Sequence, residues 1–125
     1  MPNIALVEDE PEAADVLAAF IARYADEKGL ELAVTRFGNA MDFEMTHQHF
    51  DLVFMDIQMP IMNGYEATAA IRSLPGGRGK VPIIAMTANA FAEDVQLAKN
   101  TGMNEHIAKP LELDKLNDVL KQWLQ

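Results

Sequence analysis

Three times in this 125-residue chain an apolar run stops at a polar group that carries chemistry, and a short mixed segment does so once more. The run 4–7 ends at Glu8 and Asp9, the run 51–55 at Asp56, the run 81–86 at Thr87, and the short segment 105–108 at Lys109. Apolar runs of this length without strict alternation suit strands covered on both faces. Between them, apolar residues recur at three- and four-residue steps, the spacing of one helix face. Pro11 suits the first turn of a helix that carries Val16, Leu17, Phe20 and Tyr24 and stops at Gly29. The segment 31–37 reads as another strand, and 40–49 as a short helix with Asn39 as its cap. Loop residues Pro60, Asn63 and Gly64 precede a helix marked by Ala67, Ala70, Ile71 and Leu74. Pro75 to Gly79 reads as a loop. Phe91, Val95 and Ala98 mark a helix that Gly102 ends, and Leu113, Leu116, Leu120 and Trp123 mark the last one. Strand and helix thus alternate five times, which predicts an α/β sandwich with a parallel sheet in one domain, 1–125.

Charge narrows the function. Nineteen acids against ten bases give a net charge of −9, so direct binding to nucleic acid or to an anionic membrane is disfavoured. No cysteine is present, which removes disulfides and thiolate metal sites. No apolar run approaches the ~20 residues of a membrane span, so no membrane insertion is expected. The first ten residues lack the basic start of a signal peptide, and the expected compartment is the cytoplasm.

In an open parallel sheet, ligands bind beyond the carboxyl ends of the strands. Glu8, Asp9 and Asp56 become neighbours if the first and third strands pair. Any one acid there is most simply a solvated loop residue, but three converging on one edge repel strongly. A hard divalent cation relieves that repulsion, and few protein ligands with room for water suit Mg²⁺. Lys109 adds an ammonium and Thr87 a hydroxyl, a set fit to hold a phosphoryl group, with the nearest carboxylate as acceptor. Lys109-Pro110 is also a bond that adopts cis readily, which would turn the lysine into the site.

These residues resemble the receiver domain of bacterial two-component response regulators. The resemblance rests on Val7-Glu8-Asp9-Glu10, Asp56-Ile57-Gln58-Met59-Pro60 with Asn63-Gly64, Met86-Thr87-Ala88, and Ala108-Lys109-Pro110, in order and each after its strand. It extends over the whole chain. The stretch 54–116 looks most like receivers attached to hybrid histidine kinases, and the first fifty residues look more like those of stand-alone regulators.

The resemblance implies a flavodoxin-like (βα)5 fold with strand order 2-1-3-4-5. It implies phosphorelay signalling: Asp56 as phosphoacceptor from a histidine kinase or a histidine phosphotransfer domain, and no turnover of outside substrates. Asp9, Asp56 and the backbone carbonyl of Gln58 would hold Mg²⁺, with Glu8 reaching it through water. Lys109 and Ala88 would bind the phosphoryl group, and Thr87 would bond one of its oxygens. Thr87 and His106 would carry the switch to the surface. The family commonly has tyrosine or phenylalanine at that last position, so His106 implies a partial switch, and a plain surface role is its simpler reading. The resemblance leaves two arrangements open, a single-domain regulator or a receiver whose output or kinase domain is covalently linked outside this chain.

Rivals fall on single residues. A haloacid-dehalogenase-like phosphatase needs a second acid two residues after its nucleophile, where this chain has Gln58. A flavodoxin needs a hydroxyl-rich loop after the first strand, where this chain has Glu8-Asp9-Glu10. A receiver that signals without phosphorylation would not need the full set found here. The segment 76–80 has a glycine-lysine pattern, but Val81 follows the lysine where a phosphate loop needs serine or threonine. His47 and His49 sit two apart and would not share a helix face.

Overall fold

A computed structural model describes residues 2–45, 50–56, 64–73, 79–87, 99–108 and 113–124. The elements run β1 (Asn3–Val7), α1 (Pro11–Lys28), β2 (Ala33–Phe37), α2 (Ala40–Met45), β3 (Leu52–Asp56), α3 (Gly64–Arg72), β4 (Ile83–Thr87), β5 (Glu105–Ala108) and a last helix, Leu113–Leu124. The five strands form one parallel sheet in the order β2-β1-β3-β4-β5, as expected. The segment 46–49 with its histidines, the segment 57–63, most of the loop expected from Pro75 to Gly79 and most of the helix expected from Phe91 lie outside the described residues.

Burial follows from strand order. β3, third of the five, is buried at every position, which is why its apolar run shows no alternation. β2, at the sheet's edge, alternates between exposed and half-buried. Side chains of successive strand residues point to opposite faces, so the sheet has two cores. On one face Ile4, Leu6, Phe54, Ile84 and Ile107 pack with Leu17, Ile21 and Tyr24 of α1 and with Leu116 and Leu120 of the last helix. On the other, Val7, Val53, Met55, Ile83 and Ala85 pack with Phe43 of α2 and Ala67 and Ile71 of α3. Phe37, Phe43 and Phe50 close that second core, with ring centroids 5.3 to 5.8 Å apart. Each buried Val, Leu, Ile, Phe or Met among them contributes roughly 1.5–3 kcal/mol over exposure.

The helix ends follow local chemistry. Pro11 opens α1, where its missing N–H costs nothing. Gly29 ends it at φ 66°, with its N–H donating to the Asp26 carbonyl and that of Leu30 to the Ala25 carbonyl. That pairing satisfies two orphan carbonyls and needs a left-handed residue. Asn39 caps α2 as expected: its Oδ1 accepts the Asp42 N–H at 2.8 Å. Some boundaries differ from the sequence reading. β4 begins at Ile83, not Val81, because Pro82 has no N–H to donate and the Val81 carbonyl is taken by Arg72. β2 begins at Ala33, not Glu31, and β3 extends through Asp56 itself. α3 starts already at Gly64, a residue the sequence places in the preceding loop.

Candidate functional site

β1 and β3 pair in register, Val7 beside Met55, so the residues that follow each apolar run meet at the same edge of the sheet. Glu8 is fixed there by its own N–H, which donates to the Phe37 carbonyl of β2 at 3.0 Å. Its side chain accepts the Glu10 N–H at 3.3 Å, a local turn that holds the carboxylate against the chain. Asp56, the last residue of β3, lies beside Met86 of β4. Glu8 and Asp56 are 4% and 3% exposed, unusually low for acids, whereas Asp9 faces solvent.

One carboxylate oxygen from each of Glu8, Asp9 and Asp56 lies within 4.8 Å of the others. Three hard oxygen donors, two from buried residues and one open to water, fit a small divalent cation that keeps part of its hydration. They fit a thiol- or imidazole-seeking metal poorly. The donor chemistry is thus consistent with Mg²⁺ in the place the sequence assigns to it.

The remaining residues that the sequence assigns to the site stand at or beyond the ends of β4 and β5. Thr87 closes β4 and pairs with Ala108, the last residue of β5. Lys109 and its bond to Pro110, Gln58 and Ala88 lie outside the described residues. His106 is half-buried and lies beside Ala85 of β4, on the sheet face covered by α2 and α3.

The response regulator receiver domain family matches residues 4–121. The chain belongs to this family. The receiver is 33% identical to the sensor protein GacS of Pseudomonas syringae pv. syringae and 38% identical to the transcription factor SKN7 of Chaetomium thermophilum, each over 98% of its own length. It spans only 13% and 15% of those two proteins. Among solved structures, it is similar to the receiver domain of a Pseudomonas aeruginosa sensor histidine kinase, with a TM-score of 0.83 and 34% identity, covering 98% of this chain and 97% of that one. That structure has a magnesium ion coordinated in its active-site cleft. The fold is accordingly the flavodoxin-like receiver fold, and the domain is a part of two-component phosphorelay signalling. No described helix is long and apolar enough to cross a membrane.

Sequence reasoning missed one residue that organises the fold. Arg72, at the end of α3, belongs to none of the motifs found in the sequence. It is half-buried, and burial lowers its pKa below the usual arginine value. Its guanidinium donates to the carbonyls of Gly79, Val81 and Gly102 and to the side chain of Asn104. Nothing local signals this, because two of the partners lie 30 and 32 residues away.

Proposed function

We propose that the receiver accepts a phosphoryl group on Asp56 from the phosphohistidine of a histidine kinase or a histidine phosphotransfer domain. The observation that carries this reading is the convergence of Glu8, Asp9 and a buried Asp56 at one edge of the sheet. Asp9, Asp56 and the Gln58 backbone carbonyl would hold Mg²⁺, and Glu8 would act through water. When bound, the cation neutralises charge between an incoming phosphoryl group and the carboxylate. An Asp56 carboxylate oxygen attacks phosphorus, a mixed anhydride forms, and the donor imidazole leaves. Lys109 and the Ala88 N–H bind the transferred oxygens, and the Thr87 hydroxyl donates to another. Thr87 and His106 relay the change to the surface between β4 and the last helix. Turnover stays confined to the receiver's own phosphorylation and dephosphorylation. The relatives' greater length supports a linked kinase or output domain.

Acetyl phosphate tests the reading without a partner protein. With Mg²⁺, intact-mass analysis should show one added phosphoryl group, and peptide mapping should place it on Asp56. Chelating the metal or replacing Asp56→Asn should abolish the addition. A phosphoryl group gained by Asp56→Asn at the parent rate would overturn the assignment.

A further inference from the structure

At the sheet edge opposite the acids, Arg72 uses every guanidinium N–H. Nε and Nη2 donate to the Gly102 carbonyl at 3.0 and 2.7 Å, and Nη1 to the carbonyls of Gly79 and Val81 at 3.1 and 2.6 Å. Nη2 also donates to Asn104 Oδ1 at 2.9 Å. The same Oδ1 accepts the Ile83 N–H at 2.9 Å, and the Asn104 N–H donates to the Ile83 carbonyl at 2.8 Å. One planar fork therefore ties the end of α3 to the chain entering β4 and to the chain entering β5. Gly102 is fitted to it. Its φ is 104°, and a Cβ there would stand 3.2 Å from both Cγ and Nε of Arg72.

The two strands pinned in this way are the ones that deliver Thr87 and Lys109. β5 has four residues and pairs with β4 alone, at the sheet's edge. A short edge strand with one ladder is held weakly along its own axis. A slip of one residue would turn its side chains to the other face. The fork lies four residues before Thr87, about 13 Å away at strand rise. The carboxylates, in contrast, stand on or just after β1 and β3, which Arg72 does not touch through these bonds.

We propose that Arg72 is a positioning residue for the phosphoryl-binding half of the site. By pinning the entry of β4 to the entry of β5, it fixes the register that pairs Thr87 with Ala108, the residue before Lys109 in sequence. The metal-binding half does not depend on it. This rests on the Asp56 reading above.

The test uses the full chain and compares the parent with Arg72→Met and Asn104→Ala. Mg²⁺ affinity is measured alone, and beryllofluoride affinity at saturating Mg²⁺, since that anion mimics a phosphoryl group. Amide hydrogen exchange is followed at Ile83 and Asn104. Arg72→Met should leave the Mg²⁺ Kd within about twofold and raise the beryllofluoride Kd about fivefold or more, a coupling of ordinary size. Exchange at both amides should accelerate. Asn104→Ala should show the same split to a smaller degree, and it carries the test if Arg72→Met does not fold. A staple that only stabilises would lower Tm and leave both affinities alone, and that result overturns the proposal. So does an equal loss of both affinities in the folded fraction, or unchanged exchange at Ile83 and Asn104. A parent that binds Mg²⁺ but no beryllofluoride overturns the Asp56 reading and the positioning role with it. A parent that binds both, with variants that show no split, overturns the positioning role alone.

Discussion

At the carboxyl ends of β1 and β3, three carboxylates bring oxygens within 4.8 Å of one another, two of them on buried residues. At the opposite end of the sheet, the Arg72 guanidinium sits among carbonyl and amide oxygens at 2.6 to 3.1 Å. Both ends bring charge close to the sheet, but with different consequences. The cation is matched by acceptors the fold already contains, so it fastens three segments together. The carboxylates stand close to one another, so like charges repel and a bound cation relieves that repulsion. A chain that gives up stability at one place and recovers it elsewhere has marked the place where it binds.

Substitutions at the two ends should therefore have opposite signs. Asn104→Ala removes the oxygen shared by Arg72 and the Ile83 N–H. Asn104 is exposed and water can take part of its place, so the loss should cost about 0.5–1.5 kcal/mol in urea unfolding. A cost below the error of the measurement would mean that water replaces the amide freely and that this end is not a clamp.

Asp9→Asn should act the other way, with an effect no larger. Without metal it removes one of three like charges. At this separation each of its two repulsions is just under about 1 kcal/mol in water, and salt screens them further at an exposed residue, so the gain should stay at about 1 kcal/mol. With Mg²⁺ the order should reverse. The parent gains about 2.7 kcal/mol at a hundred times its Kd, and the variant, short of one ligand, gains less. Unfolding curves in chelator and in millimolar Mg²⁺ read both signs. Equal stability of the parent in the two conditions would remove the acidic half of the contrast.

The acidic end was legible in sequence because each of its residues follows an apolar run, and parallel pairing then forces the ends together. Glu8 and Asp56 meet for that reason alone. The strand order was reached through family resemblance, and the sheet confirms it. Arg72 was not legible. Its partners are main-chain carbonyls, which carry no residue identity, and they become neighbours only once α3, β4 and β5 are packed. The start of β4 was misplaced for the same reason: Val81 is apolar and reads as strand, but its carbonyl serves Arg72. Pro82 was the available warning, since a residue without an N–H seldom sits inside a central strand.

The smallest expected effect separates burial from residue type. Arg23 also bonds an oxygen, that of Glu27 at 3.2 Å, but both side chains are more than half exposed. Such an i,i+4 pair is worth about 0.3–0.5 kcal/mol on a helix surface. Two features lower it further. The acid stands on the C-terminal side of the base, the less favourable order. Glu27 also lies in the last turn of α1, where the helix dipole disfavours a negative charge. Glu27→Ala therefore loses a weak bond and relieves a weak repulsion, and stability should change by less than about 0.5 kcal/mol. High salt should erase even that, because the pair is open to screening. If Glu27→Ala instead cost as much as Asn104→Ala, arginine hydrogen bonds would stabilise this chain wherever they occur. The distinction between a half-buried fork and a solvated pair would then have no support.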